Sequence, residues 1–203
     1  TGSEAMLLLD ESVGTTGSVQ DEGGRQANDE TLSLDTTDIG YATISGADLF
    51  TVSVDAGSDG EASRVYTLTI GTATTNLQDA DTNAVIVLAT DGADVVGKAG
   101  ASGPVVFRNS VDATDGDVTV SQYRAIEHNA PADHDENGLS AAVMSTGMVA
   151  LQVEVTDKDG DKASDDIDLG SLIKFEDDGP AVTLTTGSEA MLLLDESVGT
   201  TGS

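Results

Sequence analysis

Apolar and polar residues alternate along MVALQVEV, residues 148–155, placing Val149, Leu151, Val153 and Val155 on one face and Ala150, Gln152 and Glu154 on the other. A period of two is the signature of a half-buried strand. DLFTVSV (48–54), VYTLTI (65–70), AVIVLA (84–89), PVVFRN (104–109) and DVTVSQYRAI (117–126) are similarly short and rich in β-branched residues. Gly- and Asp-rich turn signals separate them: DAGSDGE, TDGAD, DATDGD and DKDGD. One segment, GLSAAVM at 138–144, suggests a helical turn. Many short strands between such turns predict an all-β fold, an immunoglobulin-like antiparallel β-sandwich or a pair of them.

TGSEAMLLLDESVGTTGS, residues 1–18, recurs letter for letter at 186–203, an offset of 185 residues. Eighteen identical residues do not recur by chance. They mark a tandem array whose units touch mainly their neighbours, unless the duplication was introduced in cloning. About 100 residues make one immunoglobulin-like sandwich, so the unit has room for two. The expected division is 1–100 and 101–185, with 186–203 opening the next repeat or completing the second sandwich. DGADVVGKAGASGP (91–104) is the candidate junction; a hairpin within one elaborated sandwich, or one module nested in the other, fits as well. The chain begins at Thr1 rather than Met and reads as a piece of a longer polypeptide.

Charge changes the picture most. The chain has 37 acidic residues against 8 basic, a net charge of -29. That opposes nucleic-acid binding, which needs a basic footprint, and binding to anionic membranes. High charge can also signal disorder, but 38% of residues are apolar and they fall in alternating runs. No apolar run approaches the roughly 18 residues of a membrane span, and no signal peptide is recognisable, so no membrane insertion is expected. There is no cysteine, and the six aromatics (Tyr41, Phe50, Tyr66, Phe107, Tyr123, Phe175) promise a mostly aliphatic core. A fold of this kind calls for a staple other than disulfides, and a metal is the obvious one.

The carboxylates supply candidate ligands. Asp157, Asp159 and Asp161 alternate through one tight turn, followed by Asp165, Asp166 and Asp168. Like charges at that spacing repel, and their oxygens suit a hard cation. Calcium takes six to eight oxygens in irregular geometry, whereas magnesium demands an octahedron. With no Cys and two His, zinc and copper are poorly served. The turn is not an EF-hand: Lys162 stands where that loop needs Gly, Asp168 where it needs Glu, and both flanks read as strands. No glycine-rich β-roll nonapeptide is present. A solvated acidic hairpin tip is the competing reading. DATDGD (Asp112, Asp115, Asp117) and DAGSDGE (Asp55, Asp59, Glu61) are further candidates. So are two clusters at the ends of the unit: Glu176, Asp177 and Asp178 before Pro180, and Asp10 and Glu11, repeated as Asp195 and Glu196. A calcium ion there would fix the angle between modules; a plain polar linker is the alternative.

VSQYRAIEH (120–128), VEVTDKDGDKAS (153–164) and FEDDGP (175–180) resemble the repeat domain of giant type I-secreted RTX adhesins, the T1SS-143 repeats. The resemblance covers most of the second half of the chain; the first half joins it only through LDES and its β character. The family's usual turn is D-G-D-G-D, and Lys158 replaces the first Gly here while leaving the carboxylates intact. The resemblance implies a monomeric extender module, with several Ca2+ ions, extracellular on a Gram-negative surface. Such modules partner neighbouring repeats and hold ligand-binding domains away from the cell in biofilms. LDES and EDDGP are also similar in chemistry to the acidic linkers of cadherins. A glycan- or peptide-binding sandwich is the alternative, although exposed aromatics are few. His128 and His134 lie near Asp133, Asp135 and Glu136, where a hydrolase or metal site can be drawn. The favoured reading is a solvated loop with His134 merely at the surface, and neither a Cys nucleophile, a G-x-S-x-G elbow nor a phosphate-cradling loop is present. A non-catalytic module is expected.

Overall fold

The computed structural model describes residues 6–10, 31–32, 39–128, 141–176 and 184–185. The chain begins with β1 (Leu7–Asp10), β2 (Thr31–Leu32) and β3 (Gly40–Ile44), then a single helical turn, α1 (Gly46–Leu49). β4 (Glu61–Ile70) and β5 (Thr74–Gln78) lead into a run of hairpins: β6 (Val85–Asp91), β7 (Asp94–Ala99), β8 (Val105–Val111) and β9 (Val118–Gln122). β10 (Ala142–Val143), β11 (Val149–Asp157) and β12 (Lys162–Asp168) follow, then a 3-10 turn at Gly170–Leu172 and β13 (Ile173–Glu176).

The strands form a seven-stranded antiparallel sheet in the order β2-β3-β9-β8-β7-β6-β5 and two three-stranded sheets, β12-β11-β4 and β1-β13-β10. β4 packs over β6, β7 and β8, and β1 over β3 and β9, so the smaller sheets lie against the large one as a sandwich. A single buried cluster runs through all three: Leu7 and Leu9, Ile44, Leu68, Ile86, Phe107, Val120, Leu151 and Phe175 all belong to it. Phe107 and Phe175 join opposite sheets with ring centroids 5.4 Å apart. Phe107 lies opposite Gly97 in the β7–β8 register and its ring covers that glycine, where a Cβ would collide with it. Burying a large apolar side chain stabilises by roughly 1.5–3 kcal/mol, so this core relies on few aromatics placed centrally.

The all-β sandwich expected from periodicity is present, and β4, β6, β8 and β11 fall on the runs that predicted them. Several details differ. β1 and β13 pair in parallel, so the sheets are not wholly antiparallel. Residue 100 lies in the tight turn joining β7 to β8, and all three sheets draw strands from both sides of it. The sheets and their common core therefore do not divide there. DLFTVSV is not a strand: Ser45 caps α1 by accepting from the Asp48 amide, and residues 51–56 run on without a ladder. DVTVSQYRAI forms a strand only to Gln122, with Ile126 in an isolated bridge to Asp79. The described part of GLSAAVM contains a strand pair, β10, rather than helix, because Ala142 and Val143 find partners in Phe175 and Lys174. Among the described residues no helix is long and apolar enough to cross a membrane.

Candidate metal site at the β11–β12 hairpin

β11 is central in its sheet, paired with β12 on one side and β4 on the other. Its pairing with β4 slips between Thr156, opposite Ser63, and Asp157, opposite Glu61. Such a bulge bends a strand and re-aims its side chains. The β11–β12 pairing runs to Thr156 opposite Lys162, which leaves Asp157–Asp161 to make the turn. Gly160 takes φ +99, a left-handed conformation that side-chain-bearing residues disfavour.

Asp157 organises this turn from within. Its Oδ1 accepts hydrogen bonds from three backbone amides: Asp159 at 3.2 Å, Gly160 at 3.0 Å and Asp161 at 2.8 Å. The Asp157 amide in turn donates to the Asp161 carbonyl. Wrapped this way, Asp157, Asp159 and Asp161 each present a carboxylate oxygen within 4.8 Å of the others. Among the described residues this is the one such convergence, and no Lys or Arg reaches these carboxylates. The nearby Lys162 ammonium goes to Glu154 instead, at 2.6 Å. The Asp157 carboxyl is held below its usual range, first by its hydrogen bond with Asp159 and then by the amide donors. Asp159 is pushed up by the same hydrogen bond and by the Asp157 charge. The two carboxyls thus titrate unequally, Asp157 giving up its proton at lower pH than Asp159.

The other predicted ligands stand differently. Asp165 lies on β12 opposite Val153, outside the convergence, and accepts from the Asp166 amide. Asp168 caps the far end of the hairpin, accepting from Gly147 and Gly170. Asp112, Asp115 and Asp117 do not converge. Asp112 accepts from Thr114, Asp115 from Asp117, and Asp117 from Gly46 at 2.8 Å, so each serves the turn or its packing on α1. Glu61 is paired with Arg64. Asp55 and Asp59 line the same groove as the Asp157 turn, a cavity of about 520 Å³ with Leu151, Val153 and Ile167 among its walls. Asp10 is the register partner of Glu176, and Glu176 is buried. Glu11, Asp177, Asp178, Asp195 and Glu196 lie outside the described residues, as do His134 and its acidic neighbours.

Sequence reasoning missed how other carboxylates are compensated. Asp79 is fully buried and meets Arg124 at 2.7 Å, with Thr82 donating from both its amide and hydroxyl. Arg124 also reaches Asp81, and Arg108 bridges Asp91 and Asp94. The ion pair from Arg124 spans 45 residues of sequence, so no local pattern announced it.

An all-β domain of sandwich form, carrying on a hairpin tip a carboxylate cluster that no basic side chain among the described residues pairs, is the class these features define. A family model for a domain of unknown function, DUF5801, matches residues 6–170, and the chain belongs to that family. The match runs unbroken through residue 100, as the sheets do. No curated protein matches the chain, and no solved structure does.

Proposed function

We propose that this chain is a calcium-rigidified spacer module of a tandem-repeat bacterial surface adhesin, extracellular and non-catalytic. It holds ligand-binding domains away from the cell and has neighbouring repeats as its partners. The observation that carries this reading is the convergence of Asp157, Asp159 and Asp161 with no basic residue among those described to neutralise them. A hard cation would take the free oxygens of these three carboxylates, with water completing a six- to eightfold shell. The 185-residue repeat supports the tandem setting.

Magnitudes make calcium a folding switch. Extracellular calcium modules bind at roughly 0.1–1 mM. At a hundredfold excess over Kd each site adds about 2.7 kcal/mol, so a few sites match a typical domain's whole stability of about 5–15 kcal/mol. Without the ion, a net charge of -29 pushes the chain apart. The test is a thermal melt in excess EDTA and again in millimolar calcium. For the one site described, calcium at that excess should raise Tm by about 5–11 °C, at ~2–4 °C per kcal/mol for a chain of this size, and magnesium should do much less. Equal melts would end the proposal.

A further inference from the structure

The repeated segment offers one strand position two equivalent occupants. β1 enters its sheet beside β13, Leu7 opposite Ile173 and Leu9 opposite Phe175. It is the edge strand of the order β1-β13-β10, held by one neighbour, with Leu7 and Leu9 buried in the common core. Residues 192–195 have the same letters, LLLD, within the same eighteen-residue context, so nothing in the side chains distinguishes the two copies.

Reach does not distinguish them either. Residues 11–30 lie between β1 and β2, and residues 177–191 between β13 and Leu192. A parallel pair needs a connection of about a dozen residues or more, which 177–191 satisfies. Effective concentration falls with roughly the −3/2 power of tether length, so tethers this similar favour one copy over the other by less than about twofold.

We infer that β13 accepts either copy, and that in the array each LLLD strand exchanges between its own unit and the one before it. Docked on the preceding unit, the strand interlocks two neighbours through a parallel pair and buried leucines, rather than leaving them joined by a bare linker. The inference rests on the repeat and on the β1–β13 pairing, and on no metal.

Three variants of the full chain test it by thermal melting: Leu7→Asn with Leu9→Asn, Leu192→Asn with Leu194→Asn, and all four together. Exchange predicts that either pair alone lowers Tm by less than half as much as the four, because the intact copy takes the position. The idea is overturned if the first pair alone costs more than half the fourfold loss, or if the four substitutions cost nothing. A direct reading is available because the chain has no cysteine. Leu8 is the register partner of Lys174, and Leu193 is its counterpart in the second copy. Lys174→Cys with Leu193→Cys should form an intramolecular disulfide on oxidation, with a yield within about tenfold of Lys174→Cys with Leu8→Cys. A crosslink from Leu8→Cys with none from Leu193→Cys would show that β13 takes the first copy alone.

Discussion

Two hairpin turns in this chain, DATDGD at 112–117 and DKDGD at 157–161, are nearly the same in letters and different in outcome. Both place a glycine at positive φ, Gly116 at +80 and Gly160 at +99. The first turn folds inward. A Cβ on Gly116 would meet the Phe50 ring at 2.7 Å, the Ala113 carbonyl accepts from the Tyr66 amide, and Asp117 accepts from Gly46. The second stands away from the body, with nothing within 4 Å of where a Gly160 Cβ would be. Its first aspartate sits one residue closer to the Asp-Gly-Asp step. Asp157 consequently gathers three amides where Asp112 accepts from Thr114. An acidic turn becomes a candidate cation site when its carboxylates are left over after the backbone and the body of the fold have taken theirs.

A third arrangement, Asp79 beneath Arg124, gives the largest expected effect because its counter-charge is a side chain of the protein itself. Arg124→Ala strands a fully buried carboxylate, among the costlier single changes in a protein. Its Tm should fall by roughly ten degrees or more, equally in calcium and in EDTA. A loss confined to calcium-free protein would mean that the ion, not Arg124, neutralises this region.

The two glycines separate the turns next. Gly116→Ala combines left-handed strain with overpacking against Phe50 and should cost about 2–3 kcal/mol. Gly160→Ala carries the strain alone, about 1–2 kcal/mol. Parallel denaturant melts measure both; equal losses would mean that the 112–117 turn is no better packed than the hairpin tip.

Asp159→Ala and Asp115→Ala address the carboxylates directly. Asp159→Ala should lower the calcium stoichiometry by one and lower Tm in calcium, yet be neutral or slightly stabilising in EDTA, where it relieves repulsion. Asp115→Ala should leave the calcium count unchanged. Calorimetric titration decides it, and an unchanged count for Asp159→Ala would refute the site.

Most of the sandwich was legible because period-two alternation is imposed by burial on one face: Val149 and Leu151 inside, Gln152 and Glu154 less so. What escaped depends on partners distant in sequence. DLFTVSV has strand-like alternation, and Val52 does pack on the core, but no neighbouring strand pairs with it. The Gly/Ala-rich 91–104 resembled a linker because Gly97 gives up its side chain to the Phe107 ring across the ladder. Asp157, Asp159 and Asp161 could be singled out from local spacing alone. The task of Asp117 could not, since Gly46 lies 71 residues away.

The smallest effect, and the one that sets the two kinds of compensated carboxylate against each other, is the response to acid. Asp79 is held below the usual 3.8, first by the hydrogen bond from Arg124, with burial opposing. Its contribution to stability is therefore complete above the unfolded carboxylate pKa and is lost as pH falls through the lower folded one. Asp159 is displaced the other way, above 3.8, by Asp157. It takes up its proton at a higher pH than an ordinary aspartate, and calcium, which needs the ionised form, must compete with that proton. On lowering the pH, calcium affinity should weaken before the metal-free fold does. Calcium titrations and EDTA melts over a series from pH 7 to about pH 3 will show the order. Coincident loss of binding and folding, or folding lost first, would mean that the hairpin tip does not titrate independently of the buried Asp79–Arg124 pair.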